Sequence, residues 1–546
     1  MSELRRLIAE RIATGLNRKS ISTCSAWAEH YRVLPRDGGG SMPWVFDKFP
    51  WTRDMHDAEE EICVGQKAAQ MGFTEMCLNR CFYAIDIEGQ SALYILPSEG
   101  DASDFSTSRF DPALELASHL QDMFSDVKNI GHKRAGGCSL FVRGSRSKSK
   151  LKSLPVGRMY FDEVDEMCQA NITLAFERMS GHADRQAWLI STPTIESKGI
   201  NGYYADSTQE HYFFICPSCS KLTELIFPEC MVITAEDAND PKIQDTYLVC
   251  KECGATLPHA DKQEIFKTGR WVPSNSDRMT RGFHINQLYS CLLDPWKIAQ
   301  LWLLAQFNPT DEQEFYNSKM GVTHAVEGAQ LTEADVEACI GGYKKGPAKG
   351  FVTMGVDVGS WIHYEVDAYK FNKSRQTNDV NLLADCRVLD EGKVRTFEEL
   401  DILMNQYGVN SCVIDSQPDT RKALEFANRF NGRVNLCIYN YSANGKNINE
   451  HPPSEHRVTV NRTSWLDIAL GRFRNGTIKL PVDISQEFKT HMTAPVRVYK
   501  RDKEGNPFGV YENTKDDHAA HCRNYAEIAL QVGAGIYGNS DMGEVL

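Results

Sequence analysis

Two acids close an apolar run in RMYFDEVDEM, at Asp162 and Glu163. That pairing suits nucleotide hydrolysis: the first carboxylate holds Mg²⁺ through water and the second polarises the attacking water. The alternative is a solvated acidic stretch, but a surface run seldom has so apolar an approach. A phosphate loop is then expected upstream, between a strand and a helix. KAAQMGFTE (67–75) stands there, after the run EEICVG. It departs from GxxxxGK[ST]: Phe73 occupies the expected lysine position, between Gly72 and Thr74, and a lysine comes early, at Lys67. Gly72 permits close backbone approach, Thr74 offers Mg²⁺ a hydroxyl, and the next helix N-terminus favours phosphate. Alone, this could be an ordinary strand-turn-helix; with the acidic strand it reads as a nucleotide site. Downstream, STPT (191–194) ends the run RQAWLIST. There a polar motif either senses the γ-phosphate or simply terminates a strand.

CPSC and CKEC place Cys216, Cys219, Cys250 and Cys253 in two CxxC knuckles. Four thiolates so spaced make a tetrahedral structural zinc site with no open position for catalysis. Cys230, between the knuckles, lacks a partner at ligand spacing and is expected to pack. Most of the 17 cysteines lie in apolar runs and read as buried thiols rather than a disulfide framework.

A third set of acids is dispersed. Asp357 lies in GVDVG, Asp415 ends VID, and Asp516 and Asp517 open DDHAAHCRNYAEIAL. An unpaired acid inside or ending an apolar strand is costly, so these positions point to two divalent metals that hydrolyse a phosphodiester. His518 is placed to orient a ligand or phosphate. Glu365 and Asp367 are secondary candidates on the neighbouring strand. Eight basic residues fall between 133 and 158, including Arg143, Arg146 and Arg158, with glycines and serines among them. They read either as a solvated loop or as one that grips DNA phosphate or supplies an arginine finger.

The elements that must carry these residues are legible. EEICVG, SALYILP, VGRMYFDE and RQAWLIST are nearly continuous apolar runs separated by helical patterns. They imply a doubly wound α/β domain on a parallel sheet buried on both faces. Beyond residue 350, FVTMGVDVG, YEVDAYKFN, VNLLADCRVLD, TFEELDILMNQYG, SCVIDSQ and TRKALEFANRFN run β-β-β-α-β-α, the order of an RNase H-like fold. The expected organisation is a helical segment over 1–45, an α/β ATPase domain over 46–210 and a zinc ribbon over 211–260. An ATPase subdomain and connector (261–342), a linker (343–350), a nuclease domain (351–535) and a flexible tail (536–546) follow. The 546 residues are 24% charged and 42% hydrophobic, as in a folded soluble multidomain chain. The longest apolar stretch, near Ile298–Phe307, falls short of the roughly 20 residues that span a bilayer. The N-terminus lacks a secretory signal, so a cytoplasmic location is expected. A net charge of −13 excludes a basic nucleic-acid coat but not local patches.

This combination resembles the large subunit of tailed-phage DNA-packaging terminases of the lambda-like type. The resemblance is carried by WAEHYRVLP (27–35), KAAQMGFTE, LYILPSEGDASDF (93–105), LPVGRMYFDEVDEM (154–167), STPT and CPSC. It continues in GFHINQLYS (282–290), FYNSKMG (315–321) and GVDVG. It implies ATP as cofactor, with Lys67 as the functional lysine and Gln70, Gly72, Thr74 and Thr192 around the nucleotide. Asp162 and Glu163 would serve the ATPase. Asp357, Asp415 and Asp517 (or Asp516) would serve a Mg²⁺- or Mn²⁺-dependent nuclease. Trp44, Phe46 and Phe49 are candidates to contact adenine. The implied partners are double-stranded DNA, a small terminase subunit, the portal protein of the procapsid and further copies in a ring, in the host cytoplasm. Relatives often carry a further acid at the place of His521, which leaves the third metal ligand open. A helicase-like translocase-nuclease of repair or restriction, or a non-catalytic zinc-ribbon DNA-binding scaffold, are the alternatives. A second motor lobe and decayed acids, which they would require, are not evident.

Overall fold

The computed structural model describes residues 21–537, except 37, 126, 153, 327, 373, 376, 378, 431, 441–447, 453–454 and 503–505. Residues 1–20 of the expected helical segment and the tail beyond 537 lie outside the described residues. The chain parts into two compact units, 1–324 and 325–546.

The first unit is built on a parallel sheet. Its strands are β1 (Ile62–Lys67), β2 (Ala92–Leu96), β3 (Cys138–Gly144), β4 (Arg158–Asp162), β5 (Gln186–Ser191), β6 (Glu210–Ile215) and β7 (Arg281–Ile285). They lie in the order β6-β7-β1-β5-β4-β2-β3, each parallel to its neighbour. An antiparallel hairpin extends the sheet beyond β3. Alternate side chains enter separate cores: Cys63, Tyr94, Tyr160 and Trp188 on one face, Val64, Leu93, Phe161 and Leu189 on the other. Burial on both faces is why these strands read as continuous apolar runs. The order places β1, β5 and β4 side by side, so the phosphate-loop lysine, STPT and the paired acids share one carboxyl edge.

β7 was not evident in the sequence. It inserts beside β1 although the cysteine-rich segment separates the two in the chain. Arg281 and His284 interrupt its apolar character, which hides its central position. β6 leads into the first cysteine knuckle, so that module grows from the sheet itself.

In the second unit, β8 (Phe351–Val358), β9 (Ile362–Phe371) and β10 (Ala384–Val394) are antiparallel. β11 (Ser411–Asp415), β12 (Val434–Tyr439) and β13 (Arg457–Val460) follow β8 in parallel. The sheet order is β10-β9-β8-β11-β12, and along the chain the elements follow the β-β-β-α-β-α order expected for an RNase H-like fold. The helix Phe397–Gln406 joins β10 to β11 and Thr420–Arg429 joins β11 to β12, as their patterns indicate. A short helix, Val380–Leu383, occupies the start of the expected third strand. The long helix α1 (His518–Tyr537) lies against β8 at backbone distance: a Cβ on Gly355 would come within 1.9 Å of the Cys522 carbonyl oxygen.

The stretch 343–350, expected as a linker, lies inside this second unit. The Tyr343 hydroxyl donates to the carbonyls of Val388 and Lys479, and Lys345 Nζ is 2.7 Å from Glu391. No helix among the described residues is long and apolar enough to cross a membrane.

Candidate active sites and a candidate metal centre

At the carboxyl edge of the first sheet, Lys67 ends β1 and sends Nζ to within 3.3 Å of Glu163 Oε1. The displaced lysine thus reaches the acidic pair from the strand rather than from the helix. Phe73 explains the displacement. It is almost fully buried, and a Cβ on Gly65 would lie 2.6 Å from its ring, so the ring packs against bare β1 backbone. Gly72 precedes the helix Phe73–Tyr83 with φ 85°, in the left-handed region that favours glycine. Gln70 adopts φ 58° in the same loop.

Asp162 ends β4 and is buried. Its Oδ2 accepts from the Tyr94 hydroxyl at 2.7 Å. Burial and the neighbouring Glu163 raise its carboxyl to about 6, against Lys67, Tyr94 and Thr74, which favour the charged form. Asp162 Oδ1 is buried outside hydrogen-bond geometry with any described residue, an acceptor facing Thr74 that could hold a cation. Glu163 turns the chain at φ 64°, strained backbone for a non-glycine residue, and exposes its carboxylate to the cleft. Ser191 Oγ lies 3.4 Å from its Oε2.

Asp165 was missed as an individual in the sequence, although it is the last letter of DEVD. It accepts from the amides of Thr194 at 2.8 Å and Ile200 at 2.7 Å, fastening STPT to the acidic strand. A Cβ on Gly199 would meet its Oδ1 at 2.3 Å. The cleft over this edge measures about 1110 Å³ and is lined by Lys67, Gln70, Gly72, Thr74, Glu163 and Thr192. Trp44 and Phe49 also line it. Phe46 does not: its ring packs edge-on against His56 inside the core.

The basic segment divides. Arg158 is buried at the start of β4 and paired with Glu88 at 2.7 Å and Asp184 at 3.1 Å, which corrects its reading as a DNA or finger residue. Arg143 donates to the carbonyls of Gly131 and Val142. Arg146 is exposed.

The four knuckle cysteines converge, with ligand atoms within 4.8 Å of one another. Each knuckle closes in the same way: Ser220 N donates to Cys216 O and Gly254 N to Cys250 O, both at 2.9 Å. Cys216 and Cys253 sulfurs stand 3.9 Å apart, close to the edge of about 3.8 Å expected for a zinc–thiolate tetrahedron with bonds of about 2.3 Å. Burial alone would raise the Cys250 thiol, but the Glu252 and Cys253 amides and adjoining thiols bring it down to about 7. The set fits Zn²⁺. Cys230 is buried outside it, with Ile226 N 3.3 Å from its sulfur.

In the second unit, Asp357 near the end of β8 and Asp415 at the end of β11 sit on adjacent parallel strands, one step beyond the Val356–Ile414 pair. Burial raises the Asp415 carboxyl, and the charge of Asp357 adds to the effect. Asp517 is buried just before α1, with His521 at 3.3 Å and Arg462 at 3.7 Å. Despite burial, these neighbours hold its carboxyl below the usual range. Asp516 is exposed. His518 Nδ1 is 2.7 Å from Asp357 Oδ2, and the ring stacks on His363 at 4.4 Å. His363, opposite Asp357 on β9, was missed in the sequence because a lone histidine in a strand carries no spacing signal. Asp357, His363 and His518 each offer a ligand atom within 4.8 Å of the others. Glu365 and Asp367 do not belong here: both are fully buried and grip Arg523 at 2.8 and 2.7 Å.

Residues 39–271 match the family model described as "Phage terminase large subunit gpA, ATPase domain". Residues 280–535 match "Terminase large subunit gpA, endonuclease domain". The chain is 22% identical over 361 residues to the terminase large subunit of Enterobacteria phage P21, a stretch covering 58% of this chain and 55% of that protein. It is 21% identical over 383 residues to that of Escherichia phage lambda, covering 63% and 59%. These alignments therefore span little more than half of either relative. The fold is similar to that in the crystal structure of the HK97 bacteriophage large terminase, with a TM-score of 0.52 at 10% identity over 94% of this chain and 99% of that one. With the two matches together spanning nearly all of the chain, it belongs to the gpA family of phage terminase large subunits.

Proposed function

We propose that this chain is an ATP-driven motor that moves double-stranded DNA into a procapsid and a metal-dependent endonuclease that cuts concatemeric DNA. The observation that carries the reading is the pairing of Lys67 with Glu163 beside Asp162 in one unit, with Asp357 and Asp415 on adjacent strand ends in the other and Asp517 buried at the start of α1.

In the first unit, the Gly72–Thr74 backbone and the helix N-terminus receive the phosphates of ATP. Lys67 transfers its charge from Glu163 to the triphosphate, and Glu163, so released, polarises the attacking water. Asp162 and Thr74 hold the cation, Thr192 and Gln70 border the nucleotide, and Trp44 or Phe49 meets adenine. Asp357, Asp415 and Asp517 hold the nuclease cations, and His518 fixes the orientation of Asp357. Divalent metal, when bound, neutralises phosphoryl charge and activates water. The four cysteines hold structural zinc. Arg146 is the member of the basic segment placed to meet DNA or a neighbouring subunit.

The partners are duplex DNA, a small terminase subunit, the portal of the procapsid and further copies in a ring, in the host cytoplasm. At −13 overall, DNA binding is expected to be weak alone and strongly salt-dependent. The test is plasmid cleavage with Mg²⁺ or Mn²⁺ by the full chain beside Asp357→Ala, with ATP hydrolysis measured beside Lys67→Ala. Cutting lost only in the first variant and hydrolysis lost only in the second support the reading. An inert wild-type chain across metals, with and without ATP, would overturn the nuclease half.

A further inference from the structure

At the rim of the second unit's acids stands an exposed aromatic ring. Trp361 lies in the tight turn between β8 and β9, where Gly359 N donates to its carbonyl at 3.0 Å. Of the nine tryptophans it is the most open to solvent, 36% exposed, while the other eight are buried or half-buried. Apolar surface left in water contributes nothing to the fold. Two cations flank the ring: the Arg395 guanidinium carbon lies 4.5 Å from its centroid and Lys393 Nζ 5.6 Å. Both of these residues are themselves exposed.

Strand register ties this trio to the metal-binding end of the sheet. Asp357 pairs with His363 across β8 and β9, and His363 pairs with Lys393 across β9 and β10. Directly opposed residues send their side chains to one face, so Asp357, His363 and Lys393 form a row across three strands. Glu487 joins that row, accepting from Lys393 Nζ at 2.7 Å and standing 3.7 Å from His363 Nε2. Trp361 comes two positions before His363, and alternate positions on a strand are about 7 Å apart, close to the step between neighbouring nucleotides. A Cβ on Gly359, in the same turn, would lie 4.0 Å from His518 Cε1, so the turn borders the histidine that meets Asp357.

A DNA strand held at Asp357 for cutting passes this rim. Lys393 and Arg395 offer positive charge to the phosphates beside the scissile one, in a chain whose net charge is −13. The indole ring offers what a phosphate does not use. In closed duplex the faces of the bases are stacked on one another, and only an unpaired base has a face free to meet an aromatic side chain. A tryptophan backed by an arginine is a platform for such a base, and it holds any base because each has a π-face.

We propose that Trp361, Arg395 and Lys393 form a base-stacking ledge at the mouth of the nuclease site, where an unpaired base rests beside the scissile phosphate, so that locally opened DNA is cut in preference to closed duplex. This rests on the nuclease reading above. The test uses the full chain with Mn²⁺ and three substrates: a closed duplex, the same duplex with an internal mismatched bubble, and that bubble with abasic nucleotides in the cut strand. Wild type should cut the base-containing bubble about 10- to 100-fold faster than the abasic one, the change expected of one base–aromatic stack. In Trp361→Ala that ratio should fall to about one, and Trp361→Phe should keep most of it. Arg395→Ala should lower the slope of log affinity against log salt by about 1. Without added metal, oligothymidylate should quench tryptophan emission in wild type and not in Trp361→Phe, whereas an abasic oligomer should quench neither. Melting should stay the same in every variant, since the residues are exposed.

If Trp361→Ala keeps the wild-type ratio while Asp357→Ala is inert on every substrate, the ledge falls and the nuclease reading stands. Equal quenching by the abasic oligomer, or equal cutting of both bubbles by wild type, shows a backbone contact and also overturns the ledge. If wild type cuts nothing across metals yet oligothymidylate quenches Trp361, the nuclease reading falls and the ledge stands as a binding site for single strands.

Discussion

Gly355→Ala should separate the two activities proposed for this chain. Gly355 lies on β8, two residues before Asp357, where α1 crosses the strand. An added Cβ would sit 1.9 Å from the Cys522 carbonyl oxygen and 2.5 Å from the Ala526 amide nitrogen, whereas Cβ contacts below 3.0 Å are essentially never seen. Both obstacles are backbone, so no rotamer change relieves them. The helix must move away from the strand by at least about 1.1 Å, at a cost of about 2–3 kcal/mol from overpacking. Asp517 and His518 stand at the N-terminal end of that helix, whereas Asp357 and Asp415 stay with the sheet. A misplacement of about 1 Å between such groups costs about 10²-fold in rate.

The assay is Mn²⁺-dependent plasmid nicking at 25 °C, with DNA-stimulated ATP hydrolysis measured on the same preparation and melting followed by calorimetry. Nicking should fall about 10²-fold and the transition of the second unit should drop by about 5–10 °C. ATP hydrolysis should stay within about twofold, because its residues lie in the first unit. Wild-type nicking by Gly355→Ala would refute the claim that close helix–strand contact sets the metal site. Equal loss of both activities would show that the variant had unfolded the chain rather than displaced the helix.

Zinc analysis should find one ion per chain, and Cys250→Ser should lose it and lower the first unit's melting transition while leaving the second unit's in place. His56 gives a pH signature. Burial drives its imidazole down to about 3, with Nδ1 2.6 Å from the Thr52 carbonyl and Nε2 3.0 Å from the Asn79 amide. The unfolded ring takes a proton near pH 6.5, so stability is intact above that value and lost as pH falls toward 3. The loss at pH 5 is about 2 kcal/mol, and His56→Gln should flatten the slope in thermal melts between pH 7 and 5. Arg158→Ala should destabilise the first unit through its unpaired partners without altering the salt dependence of DNA binding, whereas Arg146→Ala should reduce that dependence and leave melting unchanged.

The parts of the sites carried by strand ends were legible in the sequence, because a strand buried on both faces reads as an apolar run and any acid that closes it stands out. Asp162, Asp357 and Asp415 are of this kind. The CxxC pairs were legible because zinc fixes ligand spacing within each knuckle. What did not show were relations set by tertiary packing. β7 joins β1 through a charged, five-residue strand that follows the cysteine module, and neither length nor periodicity reveals its place. Arg143, Arg146 and Arg158 look equivalent in a basic segment, yet one begins a buried strand while another reaches solvent. The choice between Asp516 and Asp517 is likewise one of direction at a helix start, where adjacent residues point to opposite environments.

Glu365 and Asp367 show the limit most sharply. An acid in an apolar strand is costly unless it is paired, and a metal is one possible partner. Here the partner is Arg523, on α1 and 156 positions beyond Asp367 in the sequence. Arg523 reaches both acids and also Glu527, while Arg472 binds Glu527 from another helix. Three carboxyl groups thus share two guanidinium groups away from water. Burial raises Glu365 well above the carboxylate range and Asp367 to about 6, while the Arg523 guanidinium opposes the shift at both. Removing either arginine would strand buried charge, which costs far more than the ion pairs contribute. The network therefore fixes α1 against the sheet through charge, as Gly355 does through contact, and both act on the helix that presents Asp517. An acid near the end of β8, Asp357, meets His518 of α1, whereas Glu365 and Asp367 in the middle of β9 meet Arg523, and the distinction between candidate ligand and anchor lies in which side chain of α1 arrives opposite the acid.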